Sequence, residues 1–190
     1  MSSDPRTDEA LLLAYKDGDV QAFEVLYGRW RGRLYRYFLR QADHAGHADE
    51  LFQEAMMRVI GAAANYEVSA KFSTFLFRIA HNLLVDHWRK CGREPVDPVV
   101  SADDGDGEFD PPAPETAVPD RQAEQRELGA ALVAAVAVLP DVQREAFLLA
   151  EEGELTLEEI ARVTGVGRET VKSRLRYATA KLRNQLEQWR

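Results

Sequence analysis

Cysteine and long apolar runs are nearly absent from this chain of 190 residues. A single cysteine, Cys91, excludes an internal disulfide and is typical of a protein that stays in a reducing cytosol. No run approaches the roughly eighteen apolar residues that a membrane-spanning helix needs. The N-terminus, MSSDPRTDEA, is too polar and acidic for a secretory signal. These absences predict a cytoplasmic protein without membrane insertion.

Signals of catalysis are also missing from the sequence. It contains no Ser/His/Asp set, phosphate-binding loop or paired-carboxylate site that stands out, so we predict no catalytic residue and no cofactor. His87 and Cys91 lie one helical turn apart, and His81 lies six residues before His87, which offers two metal ligands at best on one face. Because a structural zinc site takes four ligands, we predict no metal site.

Positive charge is absent from one stretch of the chain. The net charge is −8, and residues 96–120 hold eight acids and no Lys or Arg. Residues 1–95 carry thirteen charges of each sign, and residues 121–190 carry eleven of each. Phosphate neutralisation supplies much of the affinity of proteins for nucleic acid. The even balance outside 96–120 therefore argues against strong unaided DNA binding and favours a partner that presents the chain to DNA.

The acidic stretch also divides the chain. Prolines, glycines and acids dominate residues 96–120 and no periodicity survives, which is typical of a flexible linker. Fully extended, its 25 residues span at most roughly 80 Å. Neither flank shows an internal repeat or the alternating pattern that predicts strands. We expect an all-α protein with two small helical domains, 1–95 and 121–190, joined by the acidic linker 96–120.

Apolar residues recur at helical spacing on both sides of the linker. In the N-terminal domain they predict four helices, at about 8–16, 20–42, 48–64 and 73–91. Asp19 is the expected N-cap of the second helix, whose polar side carries Arg29, Arg33, Arg36 and Arg40. In the C-terminal domain they predict helices near 121–138 and 141–151, with Pro140 in the first turn of the latter.

The C-terminal residues TLEEIARVTGVGRETVKSRLRYATAKLR, 156–183, predict a helix-turn-helix. Thr156 and Glu159 have capping-box spacing, and Gly165 permits the left-handed conformation of a sharp turn. Over 167–183 six Lys or Arg and one acid give a net charge of +5. A short cationic helix held across another by a tight turn fits the DNA major groove. A basic surface helix in an ordinary bundle is the alternative.

The fourth predicted helix, with the loop before it at 65–71, carries a second polar surface. Four polar side chains share one face of this helix: Arg78, Asn82, Asp86 and Arg89. The loop adds Tyr66 and Lys71. Rings, amides and guanidinium groups together supply the stacking surfaces and donors that unstacked bases need. From composition alone, a solvated polar face over an aromatic core is an equally good interpretation.

Three segments in a fixed order carry a resemblance to a known family. They are DELFQE at 49–54, RIAHNLLVD at 78–86, and EEIARVTGV with TVKSRL within 158–175. Over nearly its whole length the chain resembles the extracytoplasmic-function (ECF) group of bacterial RNA polymerase sigma factors, in the sigma-70 family. The resemblance implies an initiation factor. Its four-helix N-terminal domain, region 2, would bind core RNA polymerase and the −10 promoter element, and its helix-turn-helix domain, region 4, the −35 element.

The resemblance also implies roles for individual residues. Docking on core RNA polymerase is implied for Asp49, Glu50, Leu51, Gln53 and Glu54. Binding to the melted −10 element is implied for Tyr66, Lys71, Arg78, Asn82, Asp86 and Arg89. Binding to the −35 duplex is implied for Arg168, Glu169, Lys172, Ser173 and Arg176. The expected partners are core RNA polymerase, promoter DNA and an anti-sigma factor, and the chain is not expected to be an enzyme.

Two other classes of protein compete with this interpretation. A free-standing transcription regulator of the LuxR type has a similar helix-turn-helix and would bind duplex DNA without polymerase. An enzyme with an appended DNA-binding tail would need an active site within 1–95. The segments 49–54 and 72–90 and the even charge balance argue against the regulator, and the lack of any plausible active site argues against the enzyme.

Overall fold

A computed structural model of the chain describes residues 4–42, 44–93 and 122–187, and all regular structure within these ranges is helical. The helices of the described residues are α1 (Asp8–Lys16), α2 (Val20–Leu39), α3 (Ala45–Ala63), α4 (Phe72–Lys90), α5 (Gln122–Ala137), α6 (Asp141–Glu151), α7 (Leu157–Thr164) and α8 (Arg168–Gln185).

Helices α1 to α4 form an N-terminal unit around an aromatic core. Helix α2 packs against α1, α3 and α4, because its large apolar residues recur every three or four positions. Leu34, Tyr37 and Phe38 of α2 are fully buried. The ring of Phe77 on α4 meets that of Tyr37 edge-on, with centroids 5.3 Å apart, an arrangement that aromatic quadrupoles favour. This core leaves one side of α3 and of α4 facing outward.

The helix limits follow capping groups, and some differ from those predicted. Asp19 is the N-cap of α2 as expected, and its side chain accepts the N–H of Ala22 at 3.1 Å. Helix α2 ends at Leu39 rather than at 42. Helix α3 begins at Ala45 rather than at 48, because the His44 ring caps it. Histidine is not among the usual N-cap residues, so this earlier start could not be predicted from the sequence pattern.

Helices α5 to α8 form the C-terminal unit. Helices α6 and α7 pack against each other and against α8, and α5 packs on α8. Leu148, Leu149 and Ile160 are fully buried at the centre of this unit. Pro140 is the N-cap residue of α6, one position before the first turn in which it was predicted. Its missing N–H costs nothing there, since helix termini leave such donors unpaired.

The two units pack directly against each other. Helix α4 of the first lies on α7 of the second, and their buried residues form one continuous cluster. At Gly153, in the turn between α6 and α7, a Cβ atom would lie 3.1 Å from Cδ2 of Phe77. The all-α class and the two helical units are confirmed. The predicted linker 96–120 lies outside the described residues, and the domain limits 1–95 and 121–190 stay predictions.

Candidate nucleic-acid interface

Helices α7 and α8 are joined by the tight turn that the sequence predicts. The Thr156 hydroxyl accepts the N–H of Glu159, and the Glu159 carboxylate accepts the N–H of Thr156 at 2.8 Å, which completes the capping box. Gly165 ends α7 with φ at 72°, in the left-handed region that suits glycine. The turn therefore fixes the direction in which α8 leaves α7.

Helix α8 buries its apolar stripe and exposes a polar face. Val171, Leu175 and Ala178 are buried against the rest of the unit. The five residues expected to contact the −35 element all lie on the outward side, exposed or half-buried: Arg168, Glu169, Lys172, Ser173 and Arg176. A cationic helix with one long side in water has the shape that enters a major groove.

The guanidinium of Arg168 is held by two carboxylates. Its Nε lies 2.6 Å from Glu158 on α7, and its Nη1 lies 3.1 Å from Glu169. The hydrogen bond from Arg168 lowers the pKa of Glu158, and the same bond raises the pKa of Arg168. Because all three side chains are exposed, water screens these pairs. A phosphate or a guanine edge can therefore displace Glu158 at small cost.

Two further arginines of α8 have different surroundings. Arg174 is buried, so its side chain is not part of the exposed face of α8. Arg176 lies 5.0 Å from the centre of the Tyr177 ring and donates to the Tyr177 hydroxyl at 3.1 Å. Stacking on an aromatic ring orients a guanidinium, so Arg176 is positioned on the outward face.

The polar stripe on α4 is present as predicted. Arg78, Asn82 and Arg89 are exposed and Asp86 is half-buried, at successive spacings of one helical turn. Arg89 and Asp86 form an exposed ion pair at 3.3 Å. The opposite side of α4 packs into the core, so most of the stripe residues do not contribute to that packing.

A cavity of about 370 Å³ opens beside the start of α4. It is lined by the loop residues Asn65, Tyr66, Glu67, Ser69 and Ala70, together with Ala62 and Phe75. The Tyr66 ring is buried and packs on Phe75 with centroids 5.2 Å apart. Tyr66 thus contributes a wall of the cavity rather than an exposed platform. Lys71, the last loop residue, extends outward and pairs with Glu159 of α7 at 3.2 Å.

Two side chains of α1 hold this loop in place. The Lys16 ammonium donates to the carbonyl oxygen of Tyr66 at 3.1 Å, and the Glu9 carboxylate accepts the N–H of Phe72 at 2.6 Å. The two contacts link residues 50 and 63 positions apart in the chain. Sequence reasoning did not find these positioning residues, since a lone Lys and a lone Glu on a short amphipathic helix carry no distinctive pattern.

The outer face of α3 carries the residues expected to dock on polymerase. Asp49, Glu50, Gln53 and Glu54 are exposed. Leu51 is buried in the core, and a small part of its side chain lines a groove of about 610 Å³ between α3 and α4. The buried leucine supports the helix, and the four polar side chains are accessible to a partner.

One apolar side chain on the same face of α3 was not predicted as part of the docking surface. Met57 is 64% exposed, four positions after Gln53 and three after Glu54. Its spacing could have revealed it, because positions three and four apart share a helix face. Exposed methionine is adaptable at binding surfaces. The candidate docking face of α3 is therefore both acidic and apolar.

Metal and membrane sites find no support in the described ranges. Among residues 4–42, 44–93 and 122–187, no three His, Cys, Asp or Glu side chains are arranged to hold a metal ion. No helix in these ranges has the length and apolar character needed to span a bilayer.

Models of a known protein family match both units of the chain. The family model for Sigma-70 region 2 matches residues 26–94, and that for Sigma-70 region 4 matches residues 135–184. These two segments contain the α3 face, the α4 stripe and the helix-turn-helix. The regulator of LuxR type is not favoured, because the match extends over both units rather than over the helix-turn-helix alone.

Whole proteins of the same group align over nearly the entire chain. The ECF RNA polymerase sigma factor RpoE of Cereibacter sphaeroides is 32% identical over 95% of this chain and 96% of its own length. The ECF RNA polymerase sigma factor SigW of Bacillus subtilis is 29% identical over 90% of this chain and 92% of its own. A solved structure of the sigma factor RpoE, in complex with the anti-sigma factor NepR from Bartonella quintana, shares the fold. It has a TM-score of 0.63 and 21% identity, and the match covers 88% of this chain and 98% of that one. The chain therefore belongs to the ECF group of the sigma-70 family, the non-enzymatic transcription initiation factors that direct RNA polymerase to promoters.

Proposed function

We propose that the chain divides promoter recognition between two surfaces: α8 binds the −35 element as duplex, and α4 with loop 65–71 binds the −10 element as separated strand. The observation that carries this proposal is the presence of one outward polar surface on each unit. Each surface lies within the segment matched by the corresponding sigma-70 region.

The chemistry of α8 suits duplex DNA. Arginine donates to two acceptors of guanine at once in the major groove, whereas lysine and serine contact bases or phosphates singly. Arg168 and Lys172 lie one turn apart on the exposed face, so they reach successive positions along the groove. Glu169 lies beside Arg168 and accepts from exocyclic amines such as that of cytosine.

The chemistry of α4 and its loop suits an unpaired strand. The cavity of about 370 Å³ beside loop 65–71 falls within the size range of small-ligand pockets, about 300–1,000 Å³. It combines aromatic walls from Tyr66 and Phe75 with polar groups from Asn65 and Glu67. A base outside the stack needs a ring to pack on and partners for its edge. The neighbouring α4 stripe offers amide and guanidinium donors to the rest of the strand.

The exposed face of α3 is the surface we assign to core RNA polymerase. Asp49, Glu50, Gln53 and Glu54 suit a basic partner surface, and Met57 at the same face adds an apolar contact. This face is adjacent to the α4 stripe across the groove between the two helices. Polymerase docked there would hold the −10 strand against α4.

The site of action that fits these partners is the cytoplasm, where polymerase and promoter DNA are found. An anti-sigma factor is the further partner we propose. Its support is the family itself, and the structural relative from Bartonella quintana is bound to one.

A run-off transcription assay tests the proposed function. Purified core RNA polymerase with this chain is expected to give transcripts that start at defined promoters, and core polymerase alone is expected to give none at those sites. Transcripts that start at the same sites without the chain, or failure of the chain to bind core polymerase, would contradict the proposal.

A further inference from the structure

Helix α1 is fixed to α2 by both apolar and polar contacts. Leu11 and Leu12 of α1 are fully buried. The Asp8 carboxylate accepts from the Arg29 guanidinium at 2.6 Å and from the Trp30 indole N–H at 2.8 Å. Hydrogen bonds to an ionised group are short and strong, so they restrain the helix that carries it. Helix α1 is therefore a rigid support for the groups that its outer side chains contact.

Loop 65–71 has little hydrogen bonding of its own. Among the backbone hydrogen bonds of the described residues, a single one joins two residues of this loop, from the Ser69 N–H to the Glu67 carbonyl oxygen at 2.9 Å. At the end of the loop, Lys71 is the N-cap residue of α4, but its side chain makes no capping bond. Helix N-termini leave backbone donors that need partners. The conformation of the loop therefore depends on contacts with other elements.

Helix α1 supplies such contacts at both ends of the loop. The Lys16 ammonium donates to the Tyr66 carbonyl oxygen at 3.1 Å, near the start of the loop, and the Glu9 carboxylate accepts the Phe72 N–H at 2.6 Å, directly after it. Glu9 thus caps α4 from another helix, and its negative charge suits the positive end of the α4 dipole. Seven positions separate Glu9 from Lys16, which is roughly 10 Å along a helix. Helix α1 therefore fixes the distance between the two ends of the loop.

The residues held in this way form the walls of the cavity of about 370 Å³. Its lining includes Tyr66, whose carbonyl oxygen Lys16 contacts, and Phe75, which lies one turn after Phe72. Burial and the charge of Glu9 raise the pKa of Tyr66, so the Glu9 carboxylate also lies near the Tyr66 side chain. A binding site needs its walls held to within about 0.5 Å. Movement of either end of the loop would therefore change what the cavity can bind.

We propose that Glu9 and Lys16 are positioning residues for the −10 strand, because they hold loop 65–71 in the conformation that accepts an unstacked base. The inference rests on the proposed function, since the shape of the cavity matters to promoter recognition only if a base enters it. Neither side chain is assigned a contact with DNA. Their loss should therefore impair recognition at one nucleotide of the −10 element and leave recognition of the −35 element unchanged.

A thermodynamic cycle on the complex of this chain with core RNA polymerase tests the role of Lys16. The complex is titrated with fluorescent single strands that carry the −10 sequence, either intact or with an abasic site at each position in turn. Lys16→Met keeps the apolar stem and removes the ammonium donor, so it should weaken binding of the intact strand about three- to tenfold. On the strand that lacks the captured base it should weaken binding less than about twofold, because the two changes act on one contact.

Equal weakening of the intact strand and of every abasic strand would overturn the proposal. That result would mean either that Lys16 contacts a phosphate directly, in which case the salt dependence of binding would also fall, or that the variant has lost structure generally. Run-off transcription from −35 sequence variants gives a second readout. Lys16→Met should leave the −35 preference unaltered, and a loss of preference at both elements would contradict a positioning role.

Two variants of Glu9 test the cap on α4. Glu9→Gln keeps an oxygen that can accept the Phe72 N–H, whereas Glu9→Met removes it, so Glu9→Met should weaken binding of the intact strand more. In the free chain, the Phe72 amide hydrogen should exchange faster with solvent in Glu9→Met, and that of Ala80, in the middle of α4, should not change. Equal effects of the two variants on strand binding would refute the capping role. Should Glu9→Met fail to fold, the cycle with Lys16→Met decides.

Matched controls come from the neighbouring helix α2. Arg31→Met and Glu24→Met each remove one exposed charge and should leave binding of the intact strand within about twofold of the unaltered chain. Losses as large as those of the α1 variants would contradict the proposal. The unaltered chain separates this inference from the proposed function. If its complex with polymerase binds no −10 strand, the proposed function fails, whereas normal binding by Lys16→Met and Glu9→Met removes only the positioning role.

Discussion

Individual side chains at the two DNA-facing surfaces are already oriented by their neighbours. Arg168 is aligned by Glu158 and Glu169, and Arg176 by Tyr177. These partners are one to ten positions away, so a sequence pattern identifies the helix face but not the pairings. Burial of Tyr66 was equally unpredictable, because it depends on helices from other parts of the chain.

Arg168→Ala should weaken use of the −35 element. If Arg168 contacts a base edge, the loss should be about 1–3 kcal/mol, slightly offset because the pair with Glu158 no longer has to be broken. The measurement is run-off transcription from a series of −35 sequence variants. Arg162→Ala is the control, since Arg162 is exposed on α7 and outside the α8 face. An unaltered pattern of −35 preference would argue against this contact.

Gly153→Ala should destabilise the fold. The added Cβ would lie 2.6 Å from the carbonyl oxygen of Leu149 and 3.0 Å from Leu155, so the backbone must shift. Overpacking of this kind costs about 1–3 kcal/mol in the free energy of unfolding, measured by chemical denaturation. Gly129→Ala on α5, where no atom lies within 4 Å, should be neutral or stabilising by up to about 1 kcal/mol. Equal stability of the two variants would contradict the crowding at Gly153.

At the scale of helices, the sequence predicts most of the structure. Long apolar stripes located all the helices of the described residues, and the capping box and Gly165 located the turn before α8. The errors lie at the ends of α2 and α3, where Arg40 and His44 are the caps. A helix end depends on a single hydrogen bond, whereas a helix body depends on a repeated pattern, so ends are harder to predict.

The outer face of α3 should be required for association with polymerase. Asp49→Ala with Glu50→Ala removes two exposed carboxylates from a helix whose packing depends on other residues. We expect reduced co-purification with core RNA polymerase and a folded chain. Asp17→Ala with Glu24→Ala removes two exposed acids elsewhere in the same unit and should have little effect. Undiminished binding of the first variant would refute the placement of this interface.

At the scale of the whole molecule, the packing of the two units was not predictable. The arginines of α2 formed an evident polar side in the sequence, but the sequence pattern did not indicate a partner for them. The structure instead pairs Arg33, Arg36 and Arg40 with acids more than one hundred positions away. A pattern along one helix gives no information on which distant carboxylates will meet it.

Acidification should release the boundary between the units. The hydrogen bond from Arg33 lowers the pKa of Glu154. Burial raises the pKa of Glu159, but hydrogen bonds from Thr156 and Lys71 outweigh it, so that pKa is lowered as well. A carboxyl with a lowered folded-state pKa stabilises fully above its ordinary value, here 4.5, and loses this contribution as pH falls through the folded value.

The distance between the two units, measured by single-molecule energy transfer, should therefore increase below pH 4.5 at constant salt. Helical content, followed by circular dichroism, should change less. Glu154→Gln should reduce the pH response, since its carboxyl no longer titrates. A distance between the units that shortens as the pH falls would contradict the role of these carboxylates at the boundary.

The approach of Phe77 to Gly153 has a thermodynamic consequence. Because hydrocarbon as well as charge is covered where α4 meets the α6–α7 turn, opening exposes apolar surface to water and increases the heat capacity. The fraction of molecules in which the two units are packed together must then pass through a maximum with temperature and decline on cooling as well as on warming. Cold alone should thus release the two halves of this sigma factor from each other.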